Sequence, residues 1–472
     1  MIDETSRADP TRAVQAVPLF WWTAAIALAF LVAQHYARVG GDAFLYIAHG
    51  RTMLDHGEVP AFDPFSEMTR QAPLVLHMVL PMLGFAWLDD HLGLASVVLL
   101  AALGGTAALV GFLLPAGRSA AATLAGTGLL GALLLVDREF FEARGQMFAY
   151  LLFVPWQWAC LRVLRGERVP LALLALVPIV WANTHPSFLI AAVLPLLCAA
   201  ALLVEPARTR TGRLLPLVGL ALWAVAASCI SPYGPGLVVD ALGLVGDNTT
   251  QRISHMRTPP LTLGWTLLLA LLASLTLARA LLGPSRHRRL HVVVGVAWLA
   301  MTLIARRYAP FAVAWTIAML PLILERVPFE ARWLRRVLRG SALAFVLAMP
   351  FVPPPFDLDR NLPTAATAVV QTLRLPPRML NEFGWGGYLM YAFGEERRVF
   401  IDGRNNLYGN GVFDDYLQMT FAAPSLDMLL DVYGVNTVFW TSGWPLDRAL
   451  VARPDRWREV YRDDKAVIHV RR

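Results

Sequence analysis

Cysteine, lysine and charge are all scarce in this chain. Its three cysteines, Cys160, Cys198 and Cys229, fall inside apolar runs. They form neither a metal-ligand spacing nor a disulfide framework. Lys465 is the one lysine, so the basic side chains are nearly all arginines. Charged residues make up 16% of the 472, against 57% hydrophobic, which excludes a soluble globular chain of this length. There is no P-loop, dinucleotide fingerprint, nucleophile elbow or zinc motif. Internal repeats and low-complexity segments are also absent.

What is present is a series of long apolar runs. Only a helix or a closed barrel satisfies its backbone hydrogen bonds in lipid, and a helix needs about 20 apolar residues to cross. Hydropathy gives about eleven such segments, near 18–37, 92–114, 119–136, 147–164, 169–184, 187–204, 214–230, 262–282, 290–305, 309–324 and 340–354. The first follows a polar leader with Arg7 and Arg12 and is too long for a cleaved signal, so it is expected to stay as a span. The segment 73–88 is apolar but broken by Pro81, and reads as a re-entrant or interfacial helix.

The net charge of +7 is placed for topology and not for nucleic acid. Arg118, then Arg162, Arg165 and Arg168, then Arg208, Arg210 and Arg213, then Arg286, Arg288 and Arg289 all fall in loops on one side, as does the stretch from Arg326 to Arg339. The positive-inside rule makes that side, with the amino terminus, cytoplasmic. A cell inner (plasma) membrane, crossed many times, is the expected setting. The opposite side receives the 38–75 loop, DREFFEARGQ at 137–146, NTHPS at 183–187, the 231–261 loop, Arg306 to Tyr308 and the tail. Polar residues therefore converge on the outer face.

The chain divides into a membrane domain, 1–354, and a tail, 355–472. The tail has ordinary charge and reads as a small α/β domain outside the membrane. Strands are expected at 397–403, 436–440 and 465–472, helices near 364–373 and 425–433, and turns at GWGG and DGRNN.

The outer loop opens "GGDAFLYIAHG" at 40–50. In a helix Ala43, Phe44, Ile47 and Leu54 share one face, and Asp42, Tyr46 and His49 another. Such a helix is expected to lie in the interface, apolar side in lipid, with Gly57 and Pro60 ending it. Asp42 reads as an N-cap, as a catalytic carboxylate, or as both. Asp63, before Pro64, is either an Asp-Pro turn or a second carboxylate for a hydroxyl or metal. EARGQ carries Glu142, Arg144 and Gln146; an arginine there snorkels to headgroups or forks around a lipid phosphate. Asn183 and His185 end an apolar run after the interfacial Trp181, and a polar site is favoured for them over packing. Arg306 and Arg307 sit on the outer side, against the charge trend, and suggest an anion.

These residues, in this order, resemble the GT-C superfamily of polytopic glycosyltransferases. The likeness is to a bacterial branch loosely related to the dolichyl-phosphate-mannose–protein mannosyltransferase group. It rests on Gly41-Asp42, Asp63-Pro64-Phe65-Ser66, Arg144-Gly145-Gln146, Asn183-Thr184-His185-Pro186-Ser187-Phe188, Arg307-Tyr308-Ala309-Pro310-Phe311, Trp385-Gly386-Gly387-Tyr388-Leu389 and Asp402-Gly403-Arg404. Relatives carry proline where this chain has Gly145, and Trp and Glu where it has LVLHMVL with His77.

The resemblance implies a mainly helical membrane protein that moves a sugar from a polyprenyl-phosphate donor to an acceptor hydroxyl, with inversion. Asp42 is then the general base, Arg144 and Arg307 hold the phosphate, and Asp63, Asn183 and His185 line the sugar pocket. Tyr46, His49, Gln146 and Tyr308 complete the expected binding set. Trp385, Tyr388, Asp402 and Arg404 are candidates for a glycan, lipid or protein acceptor, beside the plainer reading that they form turns. No cofactor is called for, and a divalent metal is left open. A flippase would want polar groups at the midplane, and a scaffold would leave the outer polar cluster without a role.

Overall fold

The computed structural model describes residues 37, 39–69, 73–117, 119–204, 212–246, 262–282, 288–324 and 362–472. The expected first span, the last one at 340–354, and the basic loops at Arg118, Arg208, Arg210, Arg286 and 326–339 lie outside the described residues, as does the 355–361 start of the tail.

The described chain begins with α1 (Gly41–His56) and α2 (Val79–Leu92), followed by α3 (Leu94–Leu113), α4 (Ala120–Val136) and α5 (Gly145–Arg165). Next come α6 (Leu171–Ala182), α7 (Ile190–Leu202), α8 (Leu214–Ser228), α9 (Gly236–Gly246), α10 (Leu263–Leu282), α11 (Arg288–Ile304) and α12 (Ala309–Leu324). Their ends follow local chemistry. The Ser119 hydroxyl caps α4 by accepting from the Ala122 amide, and Gly166 closes α5 in the left-handed conformation, φ 76°.

Four helical stretches, Leu94–Ala116, Gly145–Arg165, Leu263–Leu281 and Arg306–Leu324, are long and apolar enough to cross a membrane by length and composition. Shorter apolar helices fill other expected segments. The bundle core is aromatic. Phe153 on α5 and Phe311 on α12 meet edge to face with centroids 4.9 Å apart, and Trp298 and Trp181 flank them. Trp181 is fully buried, so it is core and not a membrane-interface residue: its ring fills the space between α5 and α12.

The tail contains α13 (Thr364–Leu373), β1 (Met379–Asn381), α14 (Gly386–Phe393), α15 (Asn405–Thr420), α16 (Leu426–Val432), β2 (Thr437–Thr441), α17 (Pro445–Val451), β3 (Trp457–Arg462) and β4 (Ala466–Arg471). One sheet runs β1-β2-β4-β3. β1 lies parallel to β2, with Leu380 opposite Val438, and β4 is antiparallel to both of its neighbours. β2 and β4 are buried on both faces, which is why they read as apolar runs. β3 is an edge strand whose exposed Arg458 and Glu459 hide it from a hydropathy reading.

Three expectations for the tail are corrected. Residues 397–403 form no sheet strand; Val399 bridges Ser66 of the 38–75 loop instead. GWGG is not a simple turn but a single 3-10 turn, Phe383–Trp385, leading into α14. DGRNN is likewise not a plain turn: the Arg404 amide donates to Asp402 Oδ1 and the segment runs on into α15.

The 38–75 loop is also not where its pattern placed it. α1 buries nearly every side, Ala43 through Gly50 included, because α2 covers one flank and α14 the other. Phe44 packs edge to face on Tyr388 at 5.4 Å and against Tyr391 at 5.1 Å. Its apolar face therefore meets protein and not lipid. One hydrophobic cluster runs from Phe44 and Phe85 through Met390 to Phe439 and Ile468, so this loop and the tail share a core.

Candidate active site

Asp42 is not the helix cap. Gly40 occupies that position, with no side-chain cap bond, and Asp42 sits one residue inside the helix. Its carboxylate is still in the first turn, at the positive end of the helix dipole. A third of its side chain is exposed. Arg144 Nε lies 3.2 Å from Asp42 Oδ2 and 2.7 Å from Glu142 Oε2. The guanidinium is thus held between two carboxylates from segments about a hundred residues apart, one of them buried.

Tyr46 lies one turn further along α1, buried. It takes a backbone hydrogen bond from Gly145, while burial, and then the nearby Asp42 carboxylate, push its hydroxyl pKa above the usual range. Gly145 explains itself here. A Cβ at this position would stand 2.6 Å from the Thr184 carbonyl oxygen, so α5 starts hard against the NTHPS loop.

That loop is locally well bonded. The Asn183 amide donates to the carbonyls of Ile179 and Ile230, closing the end of α6. His185 Nδ1 accepts from the Ser187 amide and lies 2.8 Å from the Ser187 hydroxyl, which in turn accepts from Trp181. With Nδ1 accepting, the ring proton of a neutral His185 is on Nε2.

Gln146 donates to the Tyr150 hydroxyl at 2.7 Å, and Tyr150 packs on Phe311 at 5.5 Å. The first turns of α5 and α12 are therefore side by side. The 3-10 turn Arg306–Tyr308 just before α12 lies at that same end. Arg307 stacks over Tyr308 at 5.1 Å and donates to its hydroxyl.

The tail closes on Asp42 from the other side. A Cβ on Gly403 would lie 3.2 Å from Asp42 Oδ1, and one on Gly387 only 2.3 Å from the Gly41 carbonyl oxygen. GGD, WGG and DGR, far apart in sequence, thus meet at one point. Trp385 packs on Phe439 at 5.6 Å beneath them.

The remaining expected residues form a second, buried cluster. Arg404 grips both oxygens of Asp63 at 2.9 Å and bonds Asp402 and His49 Nε2. Asp63 also accepts from Phe65 N and the Thr69 hydroxyl, the Asx turn that its sequence allowed. Asp402 accepts from Tyr408 as well. The hydrogen-bonding capacity of Asp63, Asp402 and Arg404 is spent within the protein, which ties loop to tail. Burial pushes His49 down, Arg404 pushes it further, and its pKa falls to about 3.

Glu142 and Asp240 were not assigned a role from sequence. Glu142 carried a signal, an acid two residues before the arginine step. Asp240 pairs with buried His77 at 2.7 Å; an acid in the apolar stretch GLVVDALG was its clue. As for metal, Arg144 fills the space between Asp42 and Glu142 that a divalent cation would need, so this pair does not fit one as arranged. Among the described residues, Asp447, Glu459 and His469 in the tail approach one another closely enough to hold an ion. Arg462 already bonds both of those acids, which makes the group a structural ion-pair cluster.

No family model matches the sequence, and no curated protein matches it. Solved structures do. The archaeal oligosaccharyltransferase AglB from Archaeoglobus fulgidus, in complex with an inhibitory peptide and a dolichol-phosphate, superposes with a TM-score of 0.55 over 90% of this chain and 69% of that one, at 13% identity. The Archaeoglobus fulgidus oligosaccharyltransferase in the apo form gives a TM-score of 0.53 over 89% and 70%, at 14% identity. At such identities the likeness is one of fold, and the fold of this chain is GT-C-like.

Proposed function

We propose that this protein is a membrane glycosyltransferase that moves a sugar from a polyprenyl-phosphate donor to an acceptor hydroxyl on the outer face. The observation that carries the reading is the Asp42–Arg144 contact at 3.2 Å. A carboxylate and a guanidinium side by side, at the end of the bundle where the apolar helices stop, support a base next to a phosphate-binding group.

In the reaction, the acceptor oxygen attacks the anomeric carbon opposite the phosphate. Its proton passes to the Asp42 carboxylate, the new C–O bond forms, and the bond from the anomeric carbon to the phosphate oxygen breaks with inversion. The leaving polyprenyl phosphate is already an anion and needs no acid. Arg144, aided by Arg307 at the same end, stabilises the charge that develops on it. When Arg144 engages phosphate, its grip on Asp42 loosens and the carboxylate is left to the acceptor hydroxyl. Glu142 keeps the guanidinium in place between turnovers. Tyr46 and Gln146 brace these groups, and the His185 Nε2–H is the sugar-facing donor.

The Arg144 guanidinium, matched to the Asp42 and Glu142 carboxylates, supplies the positive charge at this point. Asp63, His49, Asp402 and Arg404 serve as a buried tie, and Tyr388 and Trp385 build the wall against which Asp42 is set. The arginines of the 162–168 loop, at the opposite end of α5 from Arg144, support a cytoplasmic location for that end and an outer one for the site and tail. The AglB structure with dolichol-phosphate supports a lipid-linked donor. The test supplies membranes containing the protein with labelled polyprenyl-phosphate sugar or with the matching nucleotide sugar. Label should reach endogenous acceptors from the first alone. Equal transfer from the nucleotide sugar would overturn the donor class.

A further inference from the structure

A cavity of about 940 Å³ opens at the end of the bundle away from Asp42. It is lined by the far halves of α3, α5 and α12, with Phe112, Val154, Leu161, Ala318 and Met319 among its walls. At 1.5 Å per residue, the lining on α5 runs from about 14 Å to about 30 Å along the axis from Gly145. It is therefore distinct from the site of glycosyl transfer and owes nothing to that reading.

Three features say what this space accepts. Its walls are mostly apolar, and its volume is at the upper end of small-ligand sites, about 300–1,000 Å³. Gln157 lines it with a side chain 5% exposed. The Gln157 amide donates to the Ala314 carbonyl, while its buried Oε1 has no hydrogen-bond partner among the described residues. A polar atom so placed calls for a donor from a ligand or a water carried in with it. At the rim stand exposed Arg165 and Glu167; Glu167 pairs with Arg162, which lies over Trp158 at 4.8 Å, so Arg165 leaves the rim a net positive charge, and Arg168 follows just past the helix end. An apolar well with a cationic, tryptophan-bearing rim at a bundle end matches an amphiphile with an anionic head.

We propose that this cavity is a lipid site, which takes the chains of an anionic phospholipid into the bundle and holds its phosphate headgroup at Arg165. Gln157 Oε1 accepts the hydrogen bond of a water carried into the well with the lipid.

The full chain is reconstituted in vesicles of equal parts phosphatidylglycerol and phosphatidylethanolamine, with a trace of either lipid carrying a photoactivatable acyl chain. Crosslinks are mapped by peptide mass spectrometry. Phosphatidylglycerol should label the 153–164 and 314–322 segments in preference to phosphatidylethanolamine. Arg165→Gln should cut that labelling about fivefold, the worth of one basic residue at an anionic lipid surface. Ala318→Trp, which fills the well and leaves the rim intact, should remove it. Equal labelling by the two lipids, or labelling of these segments unchanged in Arg165→Gln, would overturn the proposal. So would a polyprenyl phosphate, found by native mass spectrometry, as the lipid retained there. Because Arg165 is exposed, its variant keeps the test valid if Ala318→Trp fails to fold.

Discussion

Arg404 holds Asp63 by both carboxylate oxygens, at 2.9 Å each, across 341 residues of sequence. Both side chains are nearly withdrawn from solvent. Removing one member of a buried pair leaves the other charge uncompensated, which typically costs about 3–5 kcal/mol. Arg404→Ala should lower the thermal unfolding midpoint of the purified protein accordingly. Arg404→Lys should recover part of the loss, since an ammonium keeps the charge but not the fork. Unaltered midpoints in both would mean that loop and tail are held by the apolar core alone.

His49 gives this junction a pH dependence. Burial and then Arg404 depress its pKa to about 3 in the fold, below the ordinary value near 6.5. The unfolded chain takes up the proton first, so stability is full above that ordinary value and falls as pH drops toward the folded one. Between about pH 7 and about pH 5 the loss should be on the order of 2 kcal/mol. Burial pushes the Asp63 carboxyl up, but Arg404 outweighs it and holds it below its ordinary value. That group therefore contributes only at still lower pH. Urea titrations of wild type and His49→Gln across this window check the point: the variant should show a flatter dependence, and identical slopes would count against it.

Two glycines should respond in opposite directions to the same methyl group. At Gly387 the added carbon would meet the Gly41 carbonyl oxygen at 2.3 Å. Gly387→Ala must then push α14 off α1, at a cost of about 1–3 kcal/mol, and should lower transfer activity by shifting the wall beside Asp42. At Gly84, inside α2, nothing lies within 4 Å. Gly84→Ala should stabilise by about 0.5–1 kcal/mol through helix propensity alone. Unfolding midpoints of the two variants decide both.

Much of the membrane domain was legible from hydropathy, because period and length are written into each apolar run. The helices at 364–373 and 426–432 and the strands β2 and β4 were equally plain. What failed was anything set by a partner far away in sequence. The pattern at 40–56 read as an interfacial helix because a sequence shows an apolar face without naming what covers it, and here α14 does. The Val399 segment has strand composition, yet its backbone bridges Ser66 and bonds the Asn381 side chain instead of pairing with a sheet strand. Asp42 looked like a cap because an acid near a helix start usually is one; Gly40, two residues earlier, holds the cap position. Asp63 was readable as a turn, but its Arg404 partner was not, since no local spacing predicts an ion pair between loop and tail. The grouping of Asp42 with Arg144 followed from placing both on one side of the membrane. Glu142 as the third member needed the coordinates.

In the proposed reaction the Asp42 carboxylate takes the acceptor proton. The direct measurement is the rate of sugar transfer from polyprenyl-phosphate donor by Asp42→Asn, compared with wild type at equal amounts of folded protein. Asparagine keeps the shape and helix position but cannot accept the proton, so the rate should fall about 10²–10⁴-fold with donor binding largely kept. Transfer at the wild-type rate by a folded Asp42→Asn would contradict the account.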